Sequence, residues 1–220
     1  MLLMLLCMSA PTLATAQTQA DPRLLESIDW YTGVAGRVDD ERAKALLEEV
    51  TAVDTDALAR MWLARVHSRG RMGFEQDEGR ARAISQEVIA EIRTLAASGD
   101  VEAAFLMGTA YDEALGVAVD YVEAMRWYRR AAHRGHILAT HNVGNMHRDG
   151  RGVDSDHATA AMWWLRAARA GDVIPALRLA EAYEAGRGVP QSVEEARYWY
   201  EKAAAAGNAT AAEALTRLEG

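Results

Sequence analysis

The chain has 220 residues, half of them hydrophobic and a quarter charged. This length suits one sizeable domain or one continuous solenoid, and the apolar content excludes a disordered chain. The net charge of -8 at pH 7, with no basic run along the sequence, argues against a nucleic-acid binder, because phosphate contacts need a basic patch.

Residues 1–16 have the pattern of a secretory signal peptide. The apolar run Met1–Met8 is too short to span a bilayer, and Ala14-Thr15-Ala16 is a small-residue signature that predicts cleavage before Gln17. We therefore expect a periplasmic or secreted protein, with a buried or disordered N-terminal tail as the alternative. Cys7 is the only cysteine and would leave with the signal. The mature chain would then have no thiol for a disulfide, a metal site or a nucleophile.

Residues 17–98 contain two degenerate helix pairs, which are identified by comparison with the clearer pattern downstream. The segment 67–74 resembles the turn at 147–153 with one extra residue, and the segment 30–45 is a weaker version of a pair. A helix predicted over about 77–97 is about seven residues longer than its counterparts. Seven residues are about two helical turns, so its buried face should keep its orientation.

Residues 99–207 form three repeats, 99–134, 135–170 and 171–207, marked by glycines 36 residues apart at 99, 135, 171 and 207. Each repeat has a first helix with small residues, a turn such as Gly186-Arg187-Gly188-Val189, and a second helix with an aromatic pair followed by Ala-Ala. This spacing predicts two antiparallel helices per repeat. Glycine supplies the backbone angles that the turn requires.

The predicted helix ends carry suitable residues. Asp100 and Asp172 can cap first helices, and Pro175 lies in a first turn, where a missing N–H does little harm. Residues 208–220 resemble one more first helix, with Asn208 placed to cap it. We expect this segment to be a C-terminal capping helix.

The third repeat, through Ala180-Glu181-Ala182-Tyr183, the turn at 186–189 and the segment 196–204, resembles the Sel-one-like repeat (SLR), a short relative of the tetratricopeptide repeat. The departures are mild: Ala180 replaces a glycine, His147 a tyrosine and Ala114 a turn glycine. The resemblance implies an all-α fold, a right-handed α-solenoid of about five antiparallel helix pairs plus the C-terminal capping helix. It also implies that first helices line a concave groove, that members act mainly as adaptors, and that many bacterial members are exported.

Motifs that would indicate catalysis are missing from the sequence. There is no S-x-x-K, G-x-S-x-G, H-E-x-x-H or P-loop pattern, so we expect no catalytic residues and no cofactor. His133, His136, His141 and His147 are spaced three, five and six residues apart, which does not suit a shared metal ion on one helix face, so we expect no metal. Cysteine-rich SLR proteins are reported to bind penicillin-like compounds, but this chain lacks their cysteine pairs.

Candidate partner-binding residues follow from analogy with tetratricopeptide geometry, which places first-helix side chains in the groove. They are Glu102, Phe105, Thr109, Asp112, Leu138, His141, Asn142, Asn145, Arg148, Ile174, Arg178, Glu181 and Glu184. This mixed polar and apolar set suits an extended peptide. Trp127, Trp163, Trp164 and Trp199 could form a sugar platform, but their fixed place in the repeat favours the core between repeats.

These observations predict a non-enzymatic exported adaptor that binds a peptide or protein segment, for example of a membrane sensor or an envelope assembly component. Asn142, Asn145, Arg148 and Arg178 would supply hydrogen bonds, and Phe105 with Leu138 apolar contact. Alanine at Asn145 or Arg178 should then weaken binding without lowering thermal stability. The alternatives are a cell-wall or exopolysaccharide binder and, further off, a penicillin-interacting hydrolase.

Overall fold

A computed structural model describes residues 20–53 and 56–219, and the predicted signal peptide lies outside these ranges. The described residues form eleven α-helices and no strand. The helices are α1 (Pro22–Thr32), α2 (Asp40–Val53), α3 (Ala57–Arg69), α4 (Glu78–Ser98), α5 (Val101–Glu113), α6 (Tyr121–His133), α7 (Ile137–Asp149), α8 (His157–Arg169), α9 (Val173–Ala185), α10 (Val193–Ala205) and α11 (Ala209–Glu219).

Consecutive helices pack in pairs, α1 with α2 through α9 with α10, and α11 packs on α10. First helices of neighbouring pairs also touch, α3 with α5 and α5 with α7. The predicted solenoid of five pairs with a capping helix is therefore confirmed. No helix of the described chain combines the length and the apolar character that crossing a membrane would require.

Side-chain caps set where the helices begin. The carboxylates of Asp100 and Asp172 accept hydrogen bonds from the backbone N–H groups of Ala103 and Ile174, as predicted, and the Asn208 side chain accepts one from Ala211. These bonds satisfy N–H groups that have no partner within their own helix. Helix α4 has 21 residues against 13 in α6, α8 and α10, in agreement with the predicted extension.

The turn that closes α5 keeps its shape without a glycine. Ala114 ends this helix with φ of 59°, and its N–H donates to the carbonyl of Ala110. The corresponding turns use Gly150 and Gly186 at φ of 66° and 65°. The repeat therefore imposes a left-handed residue at this position even where alanine has to adopt it.

Aromatic side chains fill the seam between helices. Trp164 is 4% exposed and Trp199 is 7% exposed, so both belong to the core, as predicted. Trp127 and Trp163 are half-buried against the hydrophobic cluster of the preceding helices. Gly144 permits this packing, because a Cβ atom there would lie 2.6 Å from the Trp164 ring.

The N-terminal pair folds back onto the C-terminal repeats, a contact that the sequence did not predict. The Val38 N–H donates to the Ala206 carbonyl at 3.1 Å, and the Val38 side chain packs against the core of the last repeats. Gly33, with φ of 87°, lies directly against Val173, where a side chain at Gly33 would overlap the valine. The segment 33–38 thus joins the two ends of the stack.

Candidate functional site

Four of the predicted groove residues lie inside the protein. Glu102, Phe105, Thr109 and Leu138 are 5%, 0%, 1% and 5% exposed. Phe105 and Leu138 therefore do not offer apolar surface to a partner, and this part of the prediction is wrong. The reason is tertiary: Trp62 of α3, Tyr128 of α6 and His136 at the start of α7 contact the α5 residues, and α1 lines a cavity beside Leu138.

The environment of Glu102 shows how this covering is built. One carboxylate oxygen accepts a hydrogen bond from the Trp62 indole at 2.7 Å, and the other from Nε2 of His136 at 3.0 Å. The Ala139 N–H donates to Nδ1 of His136, which leaves Nε2 to carry the proton that Glu102 accepts. Burial raises the pKa of Glu102, but the His136 imidazole and the Trp62 indole outweigh burial, and the pKa falls below its usual value.

Phe105 is held by the same neighbours. Its ring stacks on His136 with centroids 4.4 Å apart and packs against Trp62 at 5.6 Å. The Arg65 guanidinium, itself buried, lies 5.3 Å from the Phe105 ring and 5.7 Å from the Tyr31 ring of α1. Helix α3 and His136 at the start of α7 thus fill the first-helix face at α5, and Arg65 connects this cluster to α1.

Helix α1 also contributes to a cavity of about 300 Å³ at the start of α5 and α7. Leu25, Ile28 and Thr32 line it from one side, and Glu102 with Leu138 from the other. Helix α1 therefore forms one wall of the space beside Glu102 and Leu138, where a partner was predicted to bind.

Asp112 is engaged in an ion pair between repeats. Its carboxylate pairs with Arg151 in the next turn, and only 9% of the Asp112 side chain is exposed. Burial raises the pKa of Asp112, and the guanidinium of Arg151 opposes that rise. This residue joins two repeats rather than facing solvent.

Helix α7 carries both structural and accessible polar groups. The His141 imidazole and the Asp172 carboxylate are 3.1 Å apart, which ties α7 to the start of α9. Asn145 accepts a hydrogen bond from the Trp164 indole at 3.1 Å, so its side chain supports the core. Asn142 is half-buried, and Arg148 pairs with Asp149 at 2.5 Å.

Helix α9 has the most accessible members of the predicted set. Ile174 is 39% exposed, and Arg178 pairs with Glu181 at 2.9 Å on the same face. Glu184 accepts a hydrogen bond from Tyr200 at 2.6 Å and pairs with Arg217 of α11. The Tyr200 hydroxyl and then Arg217 lower the pKa of Glu184, although burial opposes them.

We call the accessible part of the predicted set the α7–α9 surface and define it by six residues: Asn142, Arg148, Ile174, Arg178, Glu181 and Glu184. Beside it lies a cavity of about 160 Å³, here called the arginine pocket, lined by Arg148, His157, Trp164, Arg178, Glu181 and Arg187. His157 and Arg187 were not predicted as site residues, because His157 begins a second helix and Arg187 lies in a repeat turn, and both kinds of segment were assigned to the scaffold. Only the stacking of repeats brings them to the first helices.

Comparisons with known proteins agree with this architecture. The Sel1 repeat model matches residues 57–84, 101–136, 137–172 and 176–208, which is more than half of the chain. A Sel1 repeat protein from Oxalobacter formigenes superimposes with a TM-score of 0.57 and 33% identity, over 82% of this chain and 50% of that one. A protective antigen of uropathogenic Escherichia coli with an SLR fold gives a TM-score of 0.57 and 24% identity, over 89% of this chain and 48% of that one.

The comparisons cover only part of the solved structures and include no protein with a curated description. The chain spans about half the length of both solved structures. No protein with a curated description matches it significantly.

Proposed function

Because the chain belongs to the Sel1-repeat family, whose members are generally protein-interaction adaptors, we propose that it is a non-enzymatic adaptor that binds a peptide or protein segment along the α7–α9 surface. The observation that supports this location is the contrast between helices. On α5 the corresponding positions are filled by the protein itself, whereas on α7 and α9 polar side chains and Ile174 stay accessible side by side.

The chemistry of this surface suits an extended segment. The Asn142 amide can donate to and accept from a peptide backbone, and the guanidinium of Arg178 can donate to carbonyl or carboxylate oxygens. Ile174 offers one exposed apolar contact. A mixed polar surface with few apolar anchors is typical of transient peptide recognition.

Site-specific photo-crosslinking in cells tests the proposal. A photoreactive residue at Asn142 should capture a partner, and the same residue at Arg169, an exposed position on the second helix α8, should not. The captured segment is then made as a synthetic peptide. Its affinity should fall about 10-fold for Asn142→Ala and for Arg178→Ala, with Arg169→Ala as the matched control.

Asn145 is no longer a suitable test position. Its side chain accepts the Trp164 hydrogen bond, so alanine there would lower stability as well as alter the surface. Equal capture from Asn142 and Arg169, or wild-type affinity in both surface variants, would show that the partner binds elsewhere.

We also propose that the protein is exported, on the basis of the apolar run and the Ala14-Thr15-Ala16 signature. Residues 1–20 fused to alkaline phosphatase should give periplasmic activity. Replacing two leucines of the run with arginine should abolish that activity, and the exported protein should begin at Gln17. A cytoplasmic full-length product would refute export without affecting the adaptor proposal.

A further inference from the structure

The repeats differ in one charge pair where successive turns meet the first helices. Between α5 and the turn that follows α7, the Arg151 guanidinium pairs with the Asp112 carboxylate. The corresponding positions 36 residues later are Arg187 and Arg148. The same junction therefore holds a guanidinium where the preceding repeat has a carboxylate.

Because Arg148 stands where the preceding repeat has Asp112, the Arg187 guanidinium has no carboxylate partner among the described residues at this junction. Arg148 pairs with Asp149, and Arg178 pairs with Glu181. Arg187 makes no ion pair or hydrogen bond through its side chain within residues 20–53 and 56–219, and it is exposed. The lining of the arginine pocket thus has three guanidinium groups and one carboxylate, that of Glu181, in a protein whose net charge is -8. Asp149, which pairs with Arg148, lies outside that lining.

The turn that carries Arg187 is held firmly in place. Gly188, with φ of 75°, lies so close to the carbonyl of His157 that a side chain there would overlap it. Gly152 sits against the carbonyl of Tyr121 in the same manner one repeat earlier. Because both turns dock on the preceding second helix alike, Arg187 and Arg151 have corresponding positions on the first-helix side.

The pocket has a rigid wall. Trp164 is 4% exposed, and its indole is fixed by Asn145. The Arg148 guanidinium lies 5.8 Å from the centre of the Trp164 ring, which restrains its orientation. Little further ordering of the Arg148 side chain is then needed when an anion binds, and this lowers the entropic cost of binding.

We propose that the arginine pocket binds the carboxylate of an aspartate or glutamate side chain in the segment that the adaptor recognises. This inference rests on the proposed function and specifies its chemistry. The partner's carboxylate takes the place at Arg187 that Asp112 takes at Arg151. A carboxylate matches the single excess charge and the cavity of about 160 Å³, and guanidinium groups bind it through two parallel hydrogen bonds.

A random dodecapeptide library selected on the wild-type protein provides the probe. Binders are resynthesised with a fluorescent label, and each Asp or Glu is exchanged singly for Asn or Gln. One exchange should raise the dissociation constant at least 10-fold on the wild type and by less than 2-fold on Arg187→Gln. Arg169→Gln, which removes the same charge from an exposed position on α8, should behave like the wild type.

A second variant restores the carboxylate within the chain. Arg148→Asp recreates the Asp–Arg junction of the preceding repeat, so it should fill the pocket and abolish the preference for acidic peptides. Its thermal midpoint should stay within about 3 °C of the wild type, since the Asp112-Glu113 sequence already has adjacent acidic residues at this position.

The outcomes separate the two proposals. Peptides that bind the α7–α9 surface regardless of acidic residues would overturn the carboxylate assignment and leave the adaptor function standing. Failure of the library to yield any binder would refute both. Arg187-dependent binding of a uronic-acid oligosaccharide or a phosphopeptide, with no response to acidic peptides, would also overturn the assignment.

Discussion

Substitution of Gly33 tests the contact between the two ends of the stack. Gly33 has φ of 87°, and an added Cβ would overlap Val173, which is 4% exposed. Gly33→Ala should cost about 1–2 kcal/mol for the left-handed backbone. Overlap with a packed side chain should add about 1–3 kcal/mol. Gly36→Ala and Gly135→Ala are matched controls, because both glycines have positive φ and no atom lies within 4 Å of the added Cβ.

Urea unfolding gives the free energies, and hydrogen exchange locates the effect. If the 33–38 segment is displaced, the Val38 N–H loses the Ala206 carbonyl and exchanges faster. The Asp39 N–H, which donates to the Trp30 carbonyl within the N-terminal pair, should keep its protection. Equal costs for all three substitutions together with unchanged exchange at Val38 would refute the contact.

Three further predictions concern the interior. Glu113→Gln should destabilise the protein by about 2 kcal/mol in urea unfolding. The Glu113 carboxylate accepts two hydrogen bonds from the Arg71 guanidinium, at 2.6 and 3.0 Å, and one from the Ser68 hydroxyl at 2.7 Å. Glu123→Gln, in an exposed pair, should change stability by less than about 0.5 kcal/mol. Because the pKa of Glu102 is lowered in the folded protein, its carboxylate contributes stability above the unfolded pKa, and this contribution is lost as the pH falls through the folded pKa. The decrease in the free energy of unfolding between pH 6 and pH 3 should therefore be smaller in Glu102→Gln than in the wild type. Gly144→Ala should lower the thermal midpoint, since overlap with Trp164 exceeds the gain of about 1 kcal/mol in helix propensity; a higher midpoint would show that the indole can move aside.

The covered face of α5 limits the predicted binding groove to the α7–α9 surface. In a solenoid with an open groove, every first helix would contribute to binding. Here Phe105 and Glu102 are internal, and α1 lines the cavity beside them. We therefore expect a partner on the first-helix side to contact the α7–α9 surface, next to the arginine pocket.

The helices, their caps and their pairing could be predicted from the sequence because each depends on residues that are close along the chain. Asp100 caps α5 through a bond to a residue three positions away. The glycine spacing of 36 residues sets one helix pair after another, and the aromatic pair of each second helix packs against its neighbours. Repetition made these local signals strong enough to identify the fold.

The accessibility of the groove residues depended on contacts that the repeat pattern does not contain. Glu102 is buried by Trp62, 40 residues earlier, and by His136, 34 residues later. The N-terminal pair reaches the last repeats through Val38 and Ala206, at opposite ends of the described chain. The sequence by itself determined the repeating unit, because that unit is stabilised by its own short-range bonds. Only the tertiary structure decided which side chains remain open to a partner, because helices distant in sequence cover the first-helix face at α5 and leave the α7–α9 surface accessible.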